Sequence, residues 1–299
     1  MSTATSASAT EAEPGTGAGV GAGAGRGSVT LTGANTPLGG PAARFLDLLA
    51  AEWIKLRSVR STYWALLVAA VPSILVGILI ARNVSSNWAR LTANPEFKFD
   101  PLASSFEGFR FSQLVMGVLG VLMISTEYSS GLIRSTFAAT PQRRAVLAAK
   151  TALIGALALV CGEILSFAAF FPVQAIMHGV GAGVSLGAPG SLRAVLVVGF
   201  YLAVLTLIGL AFGVLLRHSA WAICAVFGLV FILPGVVSGF PAPWADRIGK
   251  FLPPNCVGQL ISQQPQANDL SRPWSFVMIV AYPVVLLALA NHVLRSRDA

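Results

Sequence analysis

Residues 194–239 read AVLVVGFYLAVLTLIGLAFGVLL, then RHS, then AWAICAVFGLVFILPGVVSG. These are two apolar runs, Ala194–Leu216 and Ala220–Gly239, divided only by Arg217, His218 and Ser219. Each run, coiled as a helix rising about 1.5 Å per residue, is long enough to cross a hydrocarbon layer about 30 Å thick. A linker of three polar residues forces the two helices into a tight antiparallel hairpin. His218 therefore reads as a polar turn residue and not as a ligand.

Outward from this hairpin, the same pattern recurs at about Tyr63–Ala81, Phe109–Thr126, Ala145–Phe171 and Trp274–Leu294, which makes six spans in all. The fold class expected is all-α: a polytopic membrane protein with a six-transmembrane-helix bundle in residues 42–299. The bulk composition agrees. Of 299 residues 55% are hydrophobic and only 11% charged, against about 25% charged in soluble domains, and the mean hydropathy is +0.73. The net charge of +8 does not mark a nucleic-acid binder, because the basic residues sit at span ends and form no patch interleaved with aromatics. Cys161, Cys224 and Cys256 fit no metal spacing and no disulfide framework.

Met1 to about Pro41 is rich in Ala, Gly, Ser and Thr and offers too little apolar surface to offset chain entropy, so residues 1–41 are expected to be a disordered tail. It lacks the basic and apolar regions of a secretory signal, which leaves insertion to the first span. Its alternating glycines, Gly15 to Gly27, match neither GxGxxG nor a GK[ST] phosphate loop. Arg44–Ser61 alternates Phe45, Leu48, Leu49, Trp53 and Ile54 with Arg44, Asp47, Lys55 and Arg57. That is the pattern of an amphipathic helix lying in the membrane interface.

Lys and Arg near span ends set orientation. One side collects Arg44, Lys55, Arg57, Arg60, Arg134, Arg143, Arg144, Lys150, Arg217, Arg295 and Arg297; the other has Arg82, Arg90, Lys98, Arg193, Arg247, Lys250 and Arg272, mostly diluted over long loops. The first side is expected to be cytoplasmic, with both termini inside. Gly209 with Gly213, and Gly235 with Gly239, repeat small residues four apart, the spacing that lets helices approach closely. Trp88, Trp221 and Trp274 fall where interfacial belt residues sit.

Between the second and third spans stands Glu127-Tyr128-Ser129-Ser130-Gly131-Leu132-Ile133-Arg134-Ser135-Thr136-Phe137-Ala138-Ala139-Thr140-Pro141-Gln142-Arg143-Arg144. Gly131 interrupts the second span. Leu132, Ile133, Thr136 and Phe137 share one helical face, and Thr140-Pro141 supplies an N-cap and a first-turn proline for the next helix. From Pro141 to Phe171 that helix would run roughly 46 Å at about 1.5 Å per residue, so its first turns must project beyond the lipid. Arg143 and Arg144 lie in that turn, where the helix dipole disfavours cations. Anionic lipid headgroups or an acidic partner surface would favour them, and the residues alone do not choose between the two.

This segment, with Lys150 after it, resembles the stretch that follows the second span in permease subunits of type-2 ATP-binding-cassette (ABC) exporters. An acid followed by an aromatic, then Gly, Arg and a Pro-x-Arg pair, marks it there. The resemblance covers about Phe45 to the C-terminus and implies an N-terminal amphipathic elbow helix, a cytoplasmic coupling helix and a location in a bacterial-type plasma membrane. It implies that Glu127, Tyr128, Gly131, Arg134, Pro141, Arg143 and Arg144 couple to a separate ABC ATPase subunit. ATP would then bind on that partner and no cofactor on this chain, and a second permease copy or a related permease would complete the pathway. The substrate of export is not implied.

Glu163 is the one acid well inside a span, and an ionised carboxylate there costs about 2.5 kcal/mol or more unless paired. Interhelical or dimer-interface contact and a place on the pathway both remain open for it. Phe240–Arg272 is too broken for a span and too apolar for a plain loop, and is expected to form short helices in the outer interface. Two other function classes stand beside the exporter: a membrane-embedded enzyme, against which no HExxH, GxSxG or paired intramembrane aspartates occur, and a non-transporting assembly or sensor protein.

Overall fold

The computed structural model describes residues 49–50, 53–54, 60–129, 143–263 and 270–296. The tail expected over residues 1–41 and most of Arg44–Ser61 lie outside these. Within the latter, Trp53 and Ile54 are helical and leave 47% and 69% of their surface open.

All regular elements among the described residues are helical. They run α1 (Arg60–Ser86), α2 (Trp88–Thr92), α3 (Pro101–Ser105), α4 (Phe109–Ser129), α5 (Arg143–His178), α6 (Ser191–Leu216), α7 (Ser219–Phe227), a π-helical turn (Gly228–Ile232), α8 (Leu233–Ser238), α9 (Ala242–Gly249), α10 (Pro253–Ile261) and α11 (Arg272–Ser296). Six segments are long and apolar enough to cross a membrane: Tyr63–Ser86, Phe109–Thr126, Leu147–His178, Ser191–Leu216, Ser219–Ser238 and Arg272–Val293. Every expected span is present. The third continues past Phe171 through Pro172 to His178, a proline that a membrane helix tolerates when neighbours satisfy the freed carbonyl. The fifth is not a plain α-helix: Pro234 has no N–H to offer four residues back, and the chain widens into the π-helical turn immediately before it.

α6 is the central element, with 72% of its most apolar window buried, against 17% for α11. The outside of the bundle is correspondingly greasy. Leu67, Val71, Leu75 and Leu79 on α1, Val160 and Ile164 on α5, and Val284, Val285 and Leu289 on α11 are exposed. A soluble monomer rarely shows apolar patches of more than a few hundred Å²; lipid is the solvent such a surface requires. Trp221 and Trp274 are exposed at span ends as a belt requires. Trp88 is not; it packs edge-on against Phe99 at 5.1 Å and Phe97 at 6.3 Å, because the first long loop folds back into α2 and α3.

Helix contacts inside the bundle rest on missing side chains. A Cβ on Gly120 of α4 would overlap the Thr206 carbonyl of α6, one on Gly209 of α6 would overlap the Gly117 carbonyl of α4, and one on Gly213 would overlap Ile124. α5 crosses α6 in the same way, Gly162 lying on the Gly199 carbonyl, and the turn just before α4 meets α1 where Gly108 lies on the Ser73 carbonyl. Gly209 and Gly213 thus mark a helix contact. Gly235 and Gly239 do not among the described residues: nothing there lies within 4 Å of a Cβ on Gly235, and a Cβ on Gly239 would meet only Val236 of its own helix. Buried hydroxyls find partners across the same crossings. The Ser112 hydroxyl donates to the Ala69 carbonyl at 2.9 Å, Ser73 and Ser112 share a 2.7 Å bond, and Ser166 donates to the Val195 carbonyl at 2.7 Å.

At the end of the bundle where α4 and α6 begin, loops form a tied cap. Asp100 caps α3 by accepting from the Leu102 and Ala103 amides at 2.9 and 3.1 Å. Its other oxygen accepts from the Ser262 hydroxyl and the Gln263 amide at 2.8 and 2.9 Å. Gln174 of α5 donates to the Pro101 carbonyl and the Ser105 hydroxyl and accepts from the Val184 amide. The short helices expected within Phe240–Arg272 are α9 and α10. α10 is buried along Cys256, Val257, Leu260 and Ile261.

Candidate functional site

The opposite end of the bundle is where α4 stops and α5 starts. Tyr128 lies in the last turn of α4, which ends at Ser129, and α5 opens with Arg143 and Arg144. Gly131, Arg134 and Pro141 lie outside the described residues. Glu127, Arg143 and Arg144 have helical backbones whose side chains are not described. α5 is 36 residues long, roughly 54 Å at about 1.5 Å per residue, against about 30 Å of hydrocarbon. Its apolar window begins only at Leu147, so the turn that carries Arg143 and Arg144 precedes the span.

Four helices meet here in one apolar cluster. Ile124 of α4, Leu147 and Ile154 of α5, Leu210 and Val214 of α6 and Ala290 of α11 are buried together, with Met123, Tyr128, Leu207 and Leu287 packed against them. Both ends of the 130–142 connection are therefore anchored in the cluster that also holds the end of the central helix. Lys150 is buried at its edge, 3% exposed. Its stem is long enough to lie along apolar neighbours while its ammonium reaches a polar partner.

Arg217 closes α6. Its backbone takes the left-handed conformation, φ 51° and ψ 12°, and its amide donates to the Gly213 carbonyl at 3.1 Å. This is an αL cap normally given to glycine, and holding arginine there costs on the order of 1 kcal/mol. The guanidinium lies over the Tyr128 ring, 5.9 Å from its centroid, a cation–π contact of about 0.5–1 kcal/mol that offsets the strain. His218 follows at the N-cap position of α7, its side chain making no cap hydrogen bond, and is exposed. The Tyr128–Arg217 contact joins the last turn of α4 to the α6–α7 hairpin. Reading the sequence for topology counts Lys150 and Arg217 only as cytoplasmic charges; an arginine placed where a glycine cap is usual was the available hint.

Glu163 stands apart from these residues. It lies in α5 thirteen residues beyond Lys150, roughly 20 Å along the axis at about 1.5 Å per residue. Its carboxyl group rests on Gly199 of α6, so close that a Cβ there would sit 2.6 Å from Oε2 and 2.7 Å from Oε1. Oε2 is buried and has no hydrogen-bond partner among the described residues. Cys161, Cys224 and Cys256 form no disulfide with one another. Among the described residues no three His, Cys, Asp or Glu side chains converge as metal ligands would.

A family model described as "ABC-2 family transporter protein" matches residues 48–235, more than half of the chain. No curated protein matches it.

Proposed function

The chain belongs to the ABC-2 transporter family as a membrane-embedded permease component, and we propose that it exports its substrate under the drive of an ATPase carried on a separate subunit. The family is one of transport subunits and not of enzymes. In this reading residues 127–144 are the coupling element: Glu127, Tyr128, Gly131, Arg134, Pro141, Arg143 and Arg144 rest against the ATPase, on the cytoplasmic side with both termini. A second permease copy or a related permease supplies the other half of the pathway.

The observation that carries the proposal is the shared anchorage of the two ends of this element. α4 and α5 flank residues 130–142, and the cluster of Ile124, Leu147, Leu210, Val214 and Ala290 ties both to α6 and α11. Because such interiors are close-packed, a displacement of the connection is passed on to the central helix instead of being absorbed locally. ATP-driven closure of the ATPase pair would press on the element, and the bundle would rock between inward and outward access. Arg217 over Tyr128 passes the same movement to the α6–α7 hairpin.

The test is co-expression of the chain with candidate ABC ATPase subunits from the same genome. Glu127→Ala and Arg134→Ala are expected to reduce co-purification of the ATPase, or to leave it bound while abolishing the change in ATP hydrolysis that assembly produces. Unchanged binding and hydrolysis in both variants would remove the coupling assignment.

A further inference from the structure

Glu163 sits near the middle of the span Leu147–His178. An ionised carboxylate at that depth is costly unless a cation pairs with it. Neither of the two helices that meet there supplies one nearby. On α5 the nearest basic side chain is Lys150, thirteen residues away; on α6 it is Arg193, six residues before Gly199, or roughly 9 Å along the axis at about 1.5 Å per residue. Oε2 of Glu163 is buried without a hydrogen-bond partner among the described residues, although buried polar atoms in folded proteins are nearly always paired. The residue as a whole is only partly buried, so the carboxyl group is not sealed inside the bundle.

The carboxyl group also closes one end of an open trough. Leu192, Leu196, Gly199 and Ala203 follow one another along one face of α6, at i, i+4, i+7 and i+11. Leu192 and Leu196 are 48% and 44% exposed. Gly199 is buried beneath the Glu163 carboxyl group, and Ala203 is buried after it. Along this face the central helix is therefore uncovered from the capped end of the bundle as far as Glu163, and covered beyond it. Aromatic rings stand on both sides. Phe167 of α5, one turn from Glu163 toward the capped end, stacks on the exposed Phe171 at 6.1 Å; Phe200 of α6 stacks on the exposed Phe276 of α11 at 5.5 Å. These side chains are apolar, and the trough they border ends on an acid.

We propose that this trough and Glu163 form a binding site for an amphiphilic amine, its protonated nitrogen on the carboxylate and its apolar body along Leu192 and Leu196. The charge decides the class of ligand. Any lipid chain can cover the two leucines, but only a cation offsets the cost of an ionised acid at this depth, and the attraction between the pair is stronger in apolar surroundings than in water. Leu192 and Leu196 face outward from the bundle, so an amphiphile dissolved in the bilayer reaches the site without passing the loop cap. That a bound amine is cargo rests on the export reading given above; that it binds does not.

The test measures binding to the full-length chain in phosphatidylcholine nanodiscs, without an ATPase, so that failure of the export reading would leave its result unchanged. Tritiated dodecylamine is the probe, with empty nanodiscs as background. Unlabelled dodecylamine and dodecanol, its uncharged counterpart, are the competitors. Saturable binding above background is expected, displaced by dodecylamine and not by dodecanol. Glu163→Gln keeps the shape and loses the charge, and should weaken binding about tenfold or more, the scale of a lost charge-assisted bond. Leu196→Trp fills the trough, leaves the carboxyl group in place and should weaken binding several-fold. Glu107→Gln, at an exposed acid in the turn before α4, should bind like the wild type. Where Glu163→Gln does not fold, the Leu196→Trp variant and the dodecanol competition decide. Absence of a saturable component, equal displacement by dodecanol, or wild-type affinity in folded Glu163→Gln or Leu196→Trp overturns the proposal. So does a dimer of the chain, free of amine, that Glu163→Gln dissociates, because the carboxyl group would then belong to a contact between copies.

Discussion

Replacing Gly209 by alanine tests the bundle at its tightest point. A Cβ there overlaps the backbone carbonyl of Gly117, an obstacle that cannot rotate away as a side chain would, and Thr206 and Gly120 repeat the arrangement one turn earlier. α4 and α6 must move apart, and dispersion contacts along the crossing weaken as the gap opens. Overpacking of this kind costs about 1–3 kcal/mol, and a backbone obstacle belongs in the upper half of that range. Alanine also gains about 0.8–1 kcal/mol over glycine in a helix interior, so the net loss comes to about 1–2 kcal/mol. Gly235→Ala is the control, since a Cβ there meets nothing within 4 Å among the described residues, and it should be neutral or gain up to about 1 kcal/mol. The two variants should therefore differ by about 1–3 kcal/mol. Unfolding of the purified monomer in mixed micelles with rising sodium dodecyl sulfate, followed by circular dichroism, measures that difference. Equal stability of Gly209→Ala and Gly235→Ala would falsify the close crossing of α4 and α6.

Three other perturbations have defined outcomes. Arg217→Gly relieves the left-handed strain as it removes the contact with Tyr128, so its stability should stay within about 0.5 kcal/mol of wild type, whereas Arg217→Ala keeps the strain and should lose about 0.5–1 kcal/mol in the same assay. Asp100→Ala removes an N-cap worth about 1 kcal/mol together with both ties to Ser262 and Gln263; hydrogen exchange should quicken in α3 and α10 and stay slow in α4 and α6. Single cysteines at Gly187 and His218, both exposed and at opposite ends of α6, introduced after serine replacement of the native thiols, fix sidedness: an impermeant maleimide should label Gly187→Cys on intact cells and His218→Cys only after permeabilisation.

Several of these features could be read from the chain directly, because a bilayer imposes its demand on each segment separately. A run such as Ala194–Leu216 must be apolar and about 20 residues long whatever its neighbours do, and its backbone must satisfy its own hydrogen bonds. Spans, the Arg217–Ser219 hairpin and the projecting start of α5 follow from that local rule, and so does the length of the connection after Tyr128. What pairs with what does not follow, because lipid gives one apolar face no preference over another. Gly209 with Gly213 and Gly235 with Gly239 have the same spacing, and only the tertiary structure separates the pair that fits Gly117 and Ile124 from the pair that meets no other helix among the described residues. The meeting of Tyr128 with Arg217 and of Asp100 with Ser262 was decided in the same way, by how the helices pack and not by the residues' places in the sequence. Each joins positions far apart along the chain through contacts that exist only once the helices have chosen their neighbours.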